Sequence, residues 1–146
     1  MQKWKDHVVD RLRDLGMQRA ALEAIPLELE RLQIESVSIR GSGVDGVAVK
    51  GGGDREERML WNIMQREALE RNLEMAGKYV EFVERGLAAL EEEEALVVER
   101  VYVRGEPDVI ERLREEWEMA EKRSVYKRLD KILYRLTVAM FGMAVS

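Results

Sequence analysis

Apolar side chains return every third or fourth residue along most of this chain, the period of helices that turn one face inward. Trp4, Val8, Leu12 and Leu15 begin the pattern, and Met17, Leu22 and Ile25 prolong it. Gly16 and Pro26 interrupt it. Proline is best tolerated in the first turn of a helix, so the spacing predicts two consecutive helices, the second starting afresh at Leu27. A further helix is expected from Asp54, a suitable N-cap with Glu56 and Glu57 in the first turn, where the helix dipole favours acids. Leu69, Leu73, Ala76, Val80, Val83, Leu87 and Leu90 then alternate spacings of four and three, a heptad seam that Met59, Ile63 and Met64 extend less regularly upstream. Such a seam requires a partner helix. The N-terminal helices of the same chain are the favoured partner; the equivalent helix of a second chain would instead give a homodimer through Leu69–Leu90.

Between these helical patterns the character changes. Six of the eleven glycines fall between Gly41 and Gly53. Val37 and Ile39, then Val47 and Val49, alternate with polar or small residues around Gly41-Ser42-Gly43-Val44-Asp45-Gly46, a faint hairpin signal. An isolated hairpin is marginal in water, so a glycine-rich linker is the expectation and the hairpin its alternative. The glycines match neither phosphate-binding pattern, because Lys50 precedes the triple glycine where it should follow.

The last third is where chemistry concentrates. Leu129, Ile132, Leu133 and Leu136 form one apolar helix face, with Val125 before them and Met140 after. Lys122, Arg123, Lys127, Lys131 and Arg135 fall mainly outside that stripe, where a cationic surface could meet phosphates. From Ala120 onward six cationic side chains face only Glu121 and Asp130, whereas the whole chain carries a net charge of −5. The acidic balance argues against nucleic-acid binding by the surface at large but leaves room for one basic helix.

Enzymatic chemistry finds little support. Four adjacent glutamates, Glu91 to Glu94, point in different directions on a helix and do not converge on one ion; Glu92 and Glu93 instead fit a helix first turn. With no cysteine there is neither a disulfide nor a thiolate metal site, and the single His7 lies among charged residues near the terminus. No enzyme activity and no cofactor is expected. The first residues lead into a charged amphipathic helix and not an apolar signal region, and no apolar run reaches membrane-spanning length, so a cytoplasmic protein without membrane contact is expected.

A family resemblance emerges from the order of elements after Leu87. A leucine pair, the acidic helix ending in Tyr102-Val103-Arg104-Gly105, the short helix around Val109 to Leu113, and a helix opening Ser124-Val125-Tyr126-Lys127-Arg128 and ending Phe141-Gly142 resemble phage late-gene transcriptional regulators of the ArpU/RinA type. Their C-terminal domain is similar to the helix-turn-helix of sigma-factor region four. The resemblance implies that the last helix enters the major groove of duplex DNA, with Lys122, Arg123, Ser124, Lys127 and Arg128 nearest to it, and it admits RNA polymerase as a second partner. The chain departs from the family in the turn: Trp117-Glu118-Met119-Ala120 stands where a glycine is usual, and Glu121 stands at the cap position usually held by serine. The expected organisation is all-α, with an N-terminal helical region (1–36), a glycine-rich linker (37–53), a long connecting helix (54–86) and a helix-turn-helix domain (87–146). A helical interaction or phage assembly factor that does not bind DNA is the alternative reading.

Overall fold

The computed structural model describes residues 3–41 and 52–143, and among these the protein is all-α, with no strand. Two long helices come first, α1 (Lys3–Gly41) and α2 (Gly52–Ala88). Three shorter ones follow: α3 (Glu92–Val98), continued by a π-helical segment Glu99–Val103, then α4 (Val109–Glu116) and α5 (Lys122–Phe141). The chain divides into two compact units, one formed by Arg19–Gly77 and the other by Met1–Gln18 with Lys78–Ser146. The first turns of α1 thus share a core with the C-terminal helices, a grouping the sequence boundaries at 36, 53 and 86 do not show.

Within Arg19–Gly77, α1 and α2 form an antiparallel pair. Arg55 donates to the Arg40 carbonyl at 3.1 Å and the buried Asn62 to the Leu32 carbonyl at 2.9 Å, so positions descend on one helix as they rise on the other, and the long Arg66 side chain reaches Gln33 beside Leu32 at 3.0 Å. Two sequence expectations are corrected here. Pro26 does not begin a new helix but lies inside α1. It forfeits one backbone hydrogen bond and crowds the preceding turn, yet Leu22, Ile25 and Leu29 stay half-buried and Leu32 fully buried on both sides of it, and that continuous packing carries the helix through.

The second correction concerns residues 37–41, which extend α1 and belong to no linker or strand. On a strand Val37 and Ile39 would share a face; here they point apart, Val37 exposed and Ile39 buried. The Arg55 guanidinium supplies a donor to a carbonyl of the last turn, where the helix itself has none. Val47 and Val49 lie outside the described residues.

The heptad seam faces inward. Ala76, Val80, Val83 and Leu87 are buried in the single chain, and Leu69 and Leu73 half-buried. A homodimer through this seam would need an apolar face that the chain has already covered. Upstream, the inward stripe continues through Met59, Asn62 and Arg66, while Met64 lies outside it and is exposed.

In the unit containing Lys78–Ser146, Gly86 is buried and α2 runs through it to Ala88. A Cβ at this position would overlap Met140 Cγ and come within 3.2 Å of Leu136 Cδ1, so the missing side chain is what lets α2 approach α5. Gly86→Leu is expected to cost at least about 1–3 kcal/mol of stability through overpacking, read as a lower thermal midpoint by circular dichroism. Adding Met140→Ala should recover part of that loss. If Gly86→Leu melts like the unmodified protein, the close approach is wrong.

α3 starts as its glutamates predict, with Glu92, Glu93 and Glu94 in its first turn and the Glu91 N–H donating to the Glu94 carboxylate at 3.3 Å. In the π segment burial pushes the Tyr102 hydroxyl up to about 12, with Asp130 and Tyr126 adding to the effect. The folded state therefore holds this phenol neutral. Its contribution is complete below an unfolded value of 10.0 and is lost as pH rises towards about 12. Over that range the unmodified protein should lose up to about 2 kcal/mol more stability than Tyr102→Phe, in denaturant titrations at stepped pH. Parallel loss in both proteins would show that Tyr102 is solvated.

Candidate nucleic-acid interface

α4 and α5 meet through a tight turn. Asp108, in left-handed conformation at φ 55°, opens α4, and Glu118, left-handed at φ 52°, makes the bend that follows it. The turn is therefore made without glycine, at a strain of about 1–3 kcal/mol that the surrounding bonds must hold. They are present. Backbone N–H groups of Trp117, Glu118 and Met119 donate to the carbonyls of Leu113, Glu115 and Arg114 at 2.9, 3.1 and 2.9 Å. Arg114 also donates to the Met119 carbonyl at 3.1 Å and pairs with Glu111 at 2.6 Å. The hydrogen bond from Arg114 holds the Glu111 carboxyl below the usual carboxylate range. From the π segment, Arg100 reaches Glu106, ahead of α4, at 3.1 Å and Glu116, the last residue of α4, at 2.9 Å.

α5 begins after Glu121, whose backbone is extended. Val125, Leu129, Ile132, Leu133, Leu136 and Met140 are buried along its inner face, as their spacing predicts, and Thr137 joins them by donating to the Leu133 carbonyl at 2.7 Å. That packing fixes the helix rotation, and with it which side chains face water.

Arg123, Lys127 and Lys131 form the centre of the outward face. They recur every four residues, about 6 Å apart along the axis, and all three are exposed, as is Ser124 beside them. The other predicted residues are held from the sides. The Lys122 ammonium lies 3.8 Å from the Glu111 carboxylate, and the Arg128 guanidinium sits 4.1 Å above the Trp117 ring, a cation–π contact that anchors it to the turn. Arg135 continues the row but pairs with Glu94 of α3. Arg123, Ser124, Lys127, Arg128 and Lys131 thus share the side of α5 away from its core, Arg128 tethered there, while Lys122 is exposed in the first turn on the side of Val125 and Leu129 and is tethered to Glu111.

Sequence reasoning missed the neighbours that shape this surface. Asp130 is the one acid within α5, and Lys5 of α1 answers it as an ion pair at 2.6 Å. Trp4 meets Tyr134 edge to face at 5.6 Å, and the two rings wall a shallow recess with Lys131 and Arg135. Contacts between residues more than a hundred positions apart leave no local signal, and nothing in the spacing marks Trp117 as a shelf for Arg128.

Among the described residues no group of three His, Cys, Asp or Glu side chains could hold a metal ion, and no helix is long and apolar enough to cross a membrane. His7 packs beside the Phe141 ring at 5.0 Å. No family model, curated protein or solved structure matches the chain.

Proposed function

We propose that the chain is a DNA-binding transcription regulator of phage or prophage type that lays α5 in the major groove of duplex DNA. The observation that carries this reading is the row Arg123, Lys127 and Lys131, exposed on the outer face of a helix whose inner face is locked into the core. In a helix-turn-helix the N-terminal turns of the second helix reach base edges while flanking cations take phosphates. Arg123, Ser124 and Lys127 occupy the base-reading positions, and Lys122, Arg128 and Lys131 the flanks. The likeness of the sequence to ArpU/RinA regulators supports the same assignment and suggests RNA polymerase as a partner.

Electrostatics is compatible with a local interface on an acidic protein. Lys5 pairs with Asp130, and Arg114 and Lys122 with Glu111, at the edges of the basic row. The test is fluorescence polarisation with duplexes from the gene's own neighbourhood at two salt concentrations. Binding that weakens steeply with salt and prefers one duplex supports the proposal. Absence of binding at low salt would return the chain to the alternative, a helical interaction or assembly factor.

A further inference from the structure

The outward side of α2 in the Arg19–Gly77 unit carries a second apolar stripe. Leu60 is 58% exposed, Trp61 61%, Met64 51% and Met75 70%, with Ala68 at the stripe's centre. These positions lie opposite Met59, Asn62, Arg66 and Leu69, the side chains that turn toward α1. Trp61 edges a recess beside Ser38 and Ile39 yet keeps most of its ring in water. An aromatic side chain contributes about 150–250 Å² when fully buried, so Trp61 at this exposure presents about 100–150 Å², and Leu60, Met64 and Met75 bring the stripe to roughly a few hundred. An apolar strip of that size is at the upper limit of what monomers leave uncovered.

We propose that this stripe pairs with the same stripe of a second copy of the chain, antiparallel, with Ala68 on the two-fold axis. The order of residues around Ala68 fits self-pairing through Trp61 and Met75, while the same axis sets Met64 against Asn72 and Leu60 towards the buried Ala76. Trp61 stands seven residues before Ala68 and Met75 seven after, so a two-fold axis through Ala68 lays each Trp61 on Met75 of the other copy, a favourable sulfur–aromatic contact. Gln65 and Arg71, three residues to either side, become hydrogen-bonding partners by the same operation. The small side chain at the centre lets the helix axes approach to about 8 Å. The stems of Gln65, Arg71 and Asn72 enlarge the patch towards the roughly 800 Å² per partner of a standard interface. The surface is distinct from the Leu69–Leu90 seam, and the pairing holds whether or not the chain binds DNA.

Because the chain has no cysteine, single introduced thiols report the geometry cleanly. On mild oxidation Ala68→Cys is expected to give a disulfide-linked pair. Trp61→Cys and Met75→Cys should each remain unlinked alone, since each lies about 20 Å from its own copy, and should link to one another when mixed. Light scattering at about 100 µM, a concentration at which micromolar pairing is nearly complete, should give the mass of two chains. Met64→Glu with Met75→Glu should give that of one, without loss of helical signal. A one-chain mass for the unmodified protein at this concentration overturns the proposal. So does efficient self-linking of Trp61→Cys, which would mean parallel pairing, or a two-chain mass that survives both glutamates.

Discussion

Leu133→Ala is expected to lower the stability of the protein by about 2–5 kcal/mol. Leu133 is fully buried on the inner face of α5, which packs on both α3 and α4. Removing its branched end withdraws apolar atoms from the core and leaves a cavity that a helix fixed on both flanks cannot close. Against a typical total of about 5–15 kcal/mol, a loss of this size moves the whole melting curve. The measurement is chemical denaturation followed by circular dichroism. The same change should leave DNA affinity nearly intact wherever the variant remains folded, because Leu133 reaches no outward surface. A melt within about 0.5 kcal/mol of the unmodified protein, the range of surface substitutions, would mean that the inner face of α5 is misassigned.

The sequence makes the α5 core legible because its signal is local: Val125, Leu129, Ile132, Leu133 and Leu136 repeat at helical spacing, and the polar residue buried with them, Thr137, comes after that run. The α2 seam is legible for the same reason from Leu69 onward. Upstream it fades because Asn62 and Arg66 occupy inward positions, satisfied by the Leu32 carbonyl and Gln33 on the other helix. A polar residue with a distant partner looks like a solvated one. Pro26 and the Val37–Gly41 segment are misread where local propensity opposes tertiary packing and packing wins. The glycine rule fails at Glu118, since Arg114 and the backbone bonds around it hold a left-handed bend that glycine usually makes. At the candidate interface the cations are visible in sequence. Their tethering is not, because Glu111, Trp117 and Glu94 become partners only once α3, α4 and α5 are assembled.

Those tethers decide which substitutions should matter most for DNA. Reversing Arg123 and Lys127 together to glutamate is expected to abolish detectable duplex binding under the conditions in which the unmodified protein binds. Both side chains are exposed and stand one turn apart on the outward face of α5, so the exchange replaces two attractive contacts with two repulsive ones. The helix should remain intact, because exposed charges contribute about 0–1 kcal/mol to folding. Single alanine changes then separate the two roles. A side chain on phosphate weakens every duplex alike and lowers the slope of log affinity against log salt by roughly one. A side chain on a base edge costs about 1–3 kcal/mol on the preferred duplex only. Lys127→Ala tests the centre of the row, and Arg128→Ala tests a cation whose position depends on Trp117. Trp117→Leu should therefore reproduce part of the Arg128→Ala loss while every charge is retained. If the double reversal binds duplex DNA as well as the unmodified protein does, α5 is not the recognition helix.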